Sequence, residues 1–297
     1  MSETVETKSL GEKLLSIPKP VLYLVLILAT ALPLFFPMAL PNEPKDMAVK
    51  LNESINALKD GSTVIIQSDW TESTRGESRG QMDILLRMLM RKNIKFAICS
   101  AADPQAPEVF RNLVLQLNKE RKAKGEREYE KWNDWVELGF YPSGEALGQG
   151  IAANIRDAFG GKRDAPPGGQ DRPVFESPVL KDIQKVDDLG MYFVVTGTKS
   201  IIIAIERFSD RVAMGGMVTG VMGPETSNYF YSGQLKGLSS GLKGVYDMCS
   251  LEERDHPGTT MLKREEQYIL SLHAAIFLLI IAVVVGNVGV FLTRRSK

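Results

Sequence analysis

The chain has 297 residues and carries 36 basic and 36 acidic side chains, so its formal net charge is zero. Balanced charge argues against a nucleic-acid binder, since such proteins are usually basic overall or carry a basic stripe. The two cysteines, Cys99 and Cys249, stand far apart and in no metal-binding or redox spacing. They predict no disulfide framework, and we expect them to remain unbonded.

Two long segments near the chain ends contain no Asp, Glu, Lys or Arg, namely residues 21–41 and 267–293. Each is long enough to cross a hydrocarbon core of about 30 Å as a helix. The first could instead be a signal peptide, but its apolar run exceeds the usual length and no small-x-small cleavage site is evident. We therefore predict two transmembrane helices, with Pro33 and Pro37 kinking or ending the first.

Two spans would place both termini on one side of the membrane and the intervening domain on the other. Five basic residues flank the spans on the terminal side and four on the loop side. This weak positive-inside bias favours cytoplasmic termini and an extracytoplasmic domain. The remaining segments are an N-terminal tail (1–20), a linker or helix (42–60), a membrane-proximal linker (252–266) and a basic C-terminal tail (294–297).

Between the spans, residues 61–251 alternate apolar runs with helical patterns. Five continuously apolar runs predict strands at 62–70, 94–101, 134–141, 190–197 and 211–222. Such runs, alternating with helices, indicate a parallel sheet covered on both faces. We therefore predict an α/β domain with a five-stranded, mainly parallel, Rossmann-like (doubly wound) sheet. Residues 160–178, rich in glycine and proline, predict a long surface insertion.

The last predicted helix, from about 225 to 251, carries four glycines at the spacing of one face: Gly233, Gly237, Gly241 and Gly244. On a helical wheel they span about 80°, apart from an aliphatic stripe that would dock the helix on its sheet. Each glycine inside a helix costs roughly 1 kcal/mol relative to alanine, so the face implies unusually close packing. The contact would come either from a neighbouring helix of the same domain or from another subunit.

Several segments resemble a group of membrane proteins. They are LATALPLFFPMALP, a strand ending in SDW, LRMLMRKNIKFAICS and, above all, VMGPETSNYFYSGQLKGLSSGLKGVYDM. These segments are similar to an uncharacterised family of prokaryotic two-span membrane proteins, and the similarity extends over most of the chain. The resemblance implies the architecture alone, because the family brings no known activity, cofactor or catalytic residue.

Ligand sites in parallel α/β sheets lie beyond the carboxyl ends of the strands. The polar residues expected there are Ser68, Asp69, Thr71, Glu72, Ser73, Arg75, Ser100, Ser143, Thr196, Thr198 and Thr219. They would furnish a polar crevice, although the same residues also suit ordinary loops and helix caps. Within this set the weak catalytic candidates are Asp69, Thr71, Glu72 and Arg75.

Three local patterns fall short of known catalytic motifs. In TGTKS, residues 196–200, a threonine separates the glycine from the lysine, which a phosphate loop requires to be adjacent. GQGIAA, residues 148–153, fits a dinucleotide-binding pattern but lies well inside a predicted helix. Asp69 ends a strand, as a phosphoryl-accepting aspartate would. However, Thr71 stands where a phosphatase of the haloacid dehalogenase type carries a second acid.

The predicted α/β domain contains no histidine, since the two in the chain are His256 and His273. A Ser-His-Asp or Cys-His pair therefore needs His256 to fold back from its linker. No cluster of histidines and cysteines suits zinc, and we expect neither a metal nor a cofactor.

The leading hypothesis from the sequence is a structural or scaffolding protein of the lipid bilayer, a subunit of a homo-oligomer or of a larger complex with other membrane proteins. The alternatives are a membrane-tethered hydrolase or phosphatase and a small-ligand sensor. Both alternatives would use the crevice around Asp69.

Overall fold

The computed structural model describes residues 9–36, 41–70 and 74–295. The chain forms two compact units, of which one is Asn42–Leu262 and the other combines Met1–Pro41 with Lys263–Lys297. The elements in chain order are α1 (Leu10–Leu15), α2 (Lys19–Phe35), α3 (Asp46–Asn56), β1 (Thr63–Asp69), α4 (Arg75–Arg91), β2 (Lys95–Ser100), α5 (Ala106–Ala123), β3 (Trp135–Phe140), α6 (Gly144–Ala153), α7 (Ile155–Phe159), β4 (Arg163–Asp164), β5 (Arg172–Pro173), β6 (Met191–Thr196), α8 (Ser200–Phe208), β7 (Met214–Val218), α9 (Gly223–Tyr231), β8 (Gly237–Ser240), α10 (Gly241–Asp255) and α11 (Leu262–Arg295).

Six parallel strands form the main sheet of the Asn42–Leu262 unit, in the order β3-β2-β1-β6-β7-β8. Counting only these strands, the order is 3-2-1-4-5-6, which is that of Rossmann-like sheets. The predicted α/β class and parallel sheet are confirmed. The predicted number of five strands is wrong, because the prediction omits β8.

Helices cover both faces of this sheet and create two cores. On one face, Val64 and Ile66 of β1 pack in a cluster with side chains of α3, α4, α5 and α10. On the other face, Ile65 packs in a second cluster with side chains of α6, α7 and α8. Since successive strand residues point to opposite faces, both sets of side chains have to be apolar. This two-sided burial explains why the strands read as continuous apolar runs.

Residues 160–178, the predicted insertion, contain the two-stranded antiparallel pair β4 and β5. Asp164 of β4 is 7% exposed, and its Oδ2 accepts a hydrogen bond from the backbone nitrogen of Glu137 on edge strand β3 at 2.9 Å. Its other oxygen, Oδ1, pairs with Lys131 Nζ at 2.7 Å. The insertion therefore occupies part of an edge that would otherwise be open to a further strand.

The predicted helix over 225–251 is wrong. The chain there forms three elements, α9, the edge strand β8 and α10. Gly233 lies between α9 and β8 with φ of 83°, and Gly241, with φ of 61°, begins α10. Gly237 begins β8, so that only Gly244 lies inside a helix. The regular spacing of these glycines thus does not form one helical face.

Gly237 marks the closest approach between β8 and α3. A Cβ atom built on Gly237 would lie 2.2 Å from the backbone nitrogen of Leu51 and 2.3 Å from its Cα. A glycine in a strand often marks such an approach of two backbones. Close packing at this glycine therefore exists, but it joins a helix to a strand of the same domain.

Among the described residues, one helix is long and apolar enough to cross a membrane, the 34-residue α11. Helix α2 is also apolar, but it has 17 residues and contains Pro33. Pro37, the second proline predicted to end this segment, lies outside the described residues. The structure thus supplies one candidate span by length and composition, where the sequence predicted two.

We predict that Gly237→Ala lowers the free energy of unfolding by about 1–3 kcal/mol, because the added methyl group overlaps the backbone of Leu51. Gly76→Ala is the matched control, since, apart from the adjoining backbone of α4, no atom of the described residues lies within 4 Å of its Cβ position. Alanine favours a helix by roughly 1 kcal/mol there, so this variant should be neutral or more stable. Thermal unfolding in detergent measures both variants, and equal midpoints would contradict the need for glycine at position 237.

Candidate functional site

The strand order of the main sheet reverses between β1 and β6, and Asp69 of β1 is in register with Thr196 of β6. Rossmann-like sheets bind their ligands beyond the carboxyl ends of the strands at such a switch point. Thr219, which follows β7, is joined to this edge by its backbone nitrogen, which donates to Thr196 O at 3.2 Å. Three of the predicted crevice residues lie outside the described residues: Thr71, Glu72 and Ser73.

Asp69 is 4% exposed, and the protein itself occupies both of its carboxylate oxygens. Oδ2 accepts a hydrogen bond from Gln67 Nε2 at 2.6 Å. Oδ1 accepts one from Ser100 Oγ at 3.1 Å and one from the backbone nitrogen of Ala101 at 2.6 Å. Hydrogen bonds to a charged group are about twice as strong as neutral ones. Asp69 therefore fixes the end of β1 to the end of β2 and the loop that follows.

Gln67 extends this network into the core beneath the switch point. Its Oε1 accepts a hydrogen bond from the Tyr192 hydroxyl at 2.8 Å, and that hydroxyl lies 3.9 Å from Cys99 Sγ. Burial, reinforced by the charge of Asp69, raises the pKa of the Cys99 thiol, and burial likewise raises the pKa of Tyr192. Both groups are therefore neutral near pH 7.

Cys99 and Cys249 are free and buried, which confirms that they are not bonded to each other.

The hydroxyl of Thr196 organises the turn into α8. Thr196 Oγ1 accepts a hydrogen bond from the backbone nitrogen of Thr198 at 2.9 Å and lies 3.0 Å from Thr198 Oγ1. Ser200 Oγ, at the first residue of α8, donates to Thr196 Oγ1 at 3.1 Å. Thr196 is buried whereas Thr198 is exposed. These hydroxyls satisfy one another, so their arrangement is that of a structured turn.

Two other predicted residues do not join this cluster. Ser68 is fully buried on the opposite face of β1, and its Oγ has no hydrogen-bond partner in the part of the chain that the structure describes. Ser143 is exposed and caps α6, where its side chain accepts a hydrogen bond from the backbone nitrogen of Ala146 at 3.2 Å. Ser143 is therefore the N-cap residue of α6.

A cavity of about 270 Å³ lies between α4 and α5, beside the end of β1. Its lining residues are Trp70, Arg75, Arg79, Val109, Asn112, Leu113 and Gln116. Arg75 is the first residue of α4, and Arg79, four residues later, lies on the same face of the helix. Arg79 Nη2 donates to Gln116 Oε1 at 2.7 Å. This cavity combines cationic and amide side chains near the carboxyl edge of the sheet.

Sequence reasoning singled out Arg75 but missed Arg79 and Gln67. The spacing of the two arginines, which are four residues apart and would share one face of a helix, was the available signal for Arg79. The signal for Gln67 was a polar side chain directly after the apolar residues 64–66 of a predicted buried strand. Neither signal reveals which partner the side chain meets, because those partners come from other elements.

We predict that Asp69→Asn destabilises the domain by about 1–3 kcal/mol, because an amide has one acceptor oxygen and leaves a buried donor without its partner. Asp103→Asn is the matched control, since Asp103 Oδ1 accepts one exposed hydrogen bond from Gln105 N at 2.8 Å. That variant should stay within about 0.5 kcal/mol of the parent. Thermal unfolding compares them, and an unchanged midpoint for Asp69→Asn would refute the structural role of its charge.

Among the described residues, no group of three or more His, Cys, Asp or Glu side chains is placed to hold a metal ion. No protein-family model, curated protein or solved structure matches the chain. The resemblance to two-span membrane proteins accordingly stays a prediction, and the function has to be argued from the geometry of the carboxyl edge.

Proposed function

We propose that the protein is a membrane-anchored α/β domain that binds a small ligand at the carboxyl edge of its sheet. The observation that carries this proposal is a cavity of about 270 Å³, with Arg75 and Arg79 in its lining, beside the carboxyl end of β1 in a Rossmann-like sheet. Ligands of such sheets bind at this edge. The proposal corresponds to the small-ligand sensor among the hypotheses from the sequence.

The contacts of Asp69 favour binding over hydrolysis. A carboxylate nucleophile needs an oxygen that can reach the substrate. Both oxygens of Asp69 instead accept hydrogen bonds from Gln67, Ser100 and Ala101, and the side chain is 4% exposed. The same contacts suit a residue that holds the walls of a binding site in place.

We further propose that α11 anchors this domain and that α2 is a second, shorter span. Near one end of α2, Leu34 O accepts a hydrogen bond from Gln267 Nε2 of α11 at 3.0 Å. Beyond its other end, the Cβ position of Gly289 in α11 would lie 3.0 Å from Leu15 Cγ. The two helices therefore run side by side in opposite directions. The 17 residues of α2 extend roughly 26 Å, close to the thickness of a hydrocarbon core.

The structural or scaffolding subunit stays the second candidate. The four glycines no longer support it, since they do not form one helical face. Two large apolar side chains favour it instead, Val221 before α9 and Tyr231 at its end, which are 89% and 74% exposed. Exposed apolar surface often marks a contact with another protein. A homo-oligomer or a complex with other membrane proteins would cover these side chains.

We predict that the detergent-solubilised protein retains a small molecule after incubation with a metabolite extract of its host cells, as measured by native mass spectrometry. Asn112→Trp should abolish this retention, because Asn112 is an exposed residue of the cavity lining and the larger side chain would fill the cavity. Leu115→Trp is the matched control, since Leu115 lies on the same helix, is 50% exposed and does not line the cavity.

If Asn112→Trp and Leu115→Trp retained the small molecule equally, the proposed site would be refuted. If the parent protein retained no small molecule, the proposed function would be refuted. The same spectra give the particle mass. Multiples of the chain mass of 32.9 kDa would support the homo-oligomer, whereas particles of a single chain would exclude it under those conditions.

The proposed topology is tested by labelling single introduced cysteines in intact cells with a membrane-impermeant maleimide. Both native cysteines are buried, so they should not react. With cytoplasmic termini and an extracytoplasmic domain, Asp171→Cys should be labelled, while Lys13→Cys and Arg295→Cys should react only after permeabilisation. If positions 13 and 171 were both labelled in intact cells, α11 would be the single span. If only positions 13 and 295 were labelled, the orientation would be the reverse of the proposed one.

A further inference from the structure

We infer that the cavity between α4 and α5 binds the phosphate group of a small molecule. This inference rests on the proposed binding function and names the chemistry of its ligand. Three features of the described part of the chain support it: a buried donor with no hydrogen-bond partner there, an arginine with no acidic partner there, and the start of a long helix.

The buried donor is the indole N–H of Trp70. Trp70 lines the cavity and is 1% exposed, and its Nε1 has no hydrogen-bond partner among the described residues. The indole nitrogen can only donate. A buried donor left unpaired destabilises the folded state, so a ligand that brings an acceptor oxygen to Trp70 would restore the missing hydrogen bond.

The arginine is Arg79, whose guanidinium donates to the neutral amide oxygen of Gln116 at 2.7 Å. Within the described ranges of the chain, Arg79 forms no ion pair, and no carboxylate lines the cavity. Arg75, which has another contact of its own, adds a second positive charge to the lining. The planar guanidinium fork can donate two parallel hydrogen bonds to a phosphate or carboxylate group.

Both arginines lie in the first turns of the 17-residue α4, where the helix dipole already presents partial positive charge. The acidic residue of this first turn does not offset them. Glu77 lies on the opposite side of the helix, and its Oε2 accepts a hydrogen bond from the backbone nitrogen of Gly220 at 2.6 Å. The end of α4 at the cavity therefore attracts an anion.

Phosphate fits this arrangement better than a carboxylate does. A phosphate monoester carries about −1.5 to −2 charges near pH 7 and three acceptor oxygens. The lining offers donors from separate elements, the indole of Trp70 after β1, the guanidinium groups of α4, and the Asn112 amide of α5. A carboxylate has two oxygens and half the charge. A volume of about 270 Å³ leaves room for a phosphate group and part of the molecule that bears it.

The test is a titration of the full chain with inorganic phosphate in maltoside micelles, with chloride keeping the ionic strength constant. We expect a saturable change in tryptophan fluorescence and a rise in the thermal midpoint. Arg79→Gln should weaken phosphate binding at least tenfold, and Arg79→Lys, which keeps the charge but not the fork, should weaken it less. Trp70→Phe should remove most of the fluorescence change. Arg207→Gln, which removes an exposed arginine paired with Glu145 on the other face of the sheet, should bind as the parent does.

No saturable response to phosphate in the parent would overturn the inference, and so would acetate binding as tightly as phosphate. The parent protein could fail to bind phosphate and still retain a metabolite that Asn112→Trp does not retain. In that case the binding function stands, and only the proposed phosphate chemistry is wrong. Equal affinities of Arg79→Gln and Arg207→Gln would also overturn it. Loss of the phosphate response in phosphatidylglycerol nanodiscs would support the phosphate site and identify its source as a lipid headgroup.

Discussion

The burial of strand β1 dictates how the carboxyl edge of the sheet is built. All seven residues of this strand are buried, and its last three, Gln67, Ser68 and Asp69, are polar. Buried polar groups need hydrogen-bond partners, which neighbouring strands of the sheet can supply. Gln67 and Asp69 obtain them from β2 and β6, with the result that the two halves of the sheet are fixed to each other where the strand order reverses.

Much of the fold could be predicted from the sequence because two-sided burial leaves a plain pattern. The five predicted strands all exist, since each contains a mostly apolar run between helical segments. Strand β8 could not be predicted in this way, because its four residues, Gly237–Ser240, contain one apolar side chain. The glycines around it match the period of a helix by coincidence. The close contact of Gly237 depends on the backbone of α3, which the spacing of the glycines does not reveal.

The position of the candidate site could be predicted from the sequence, but the roles of its residues could not. Strand ends located Asp69, Ser100 and Thr196 correctly, because the carboxyl ends of parallel strands share one edge. The role of Asp69 was not predictable, since it depends on donors from β2 that are distant in sequence. The cavity beside Arg79 likewise needs two helices that meet only in the folded domain. A single sequence does not reveal which buried polar groups of different strands and helices form hydrogen bonds with one another.

The position of β1 in the middle of the sheet also affects how the chain is made. Its partners are β2, which follows after one helix, and β6, which begins only at Met191. During synthesis, β1, β2 and β3 can associate while one side of β1 still has no partner strand. An unpaired apolar strand is a template for aggregation, and multistep folding prolongs its exposure. The nascent chain therefore has a long interval of vulnerability, during which a chaperone would have its greatest effect on yield.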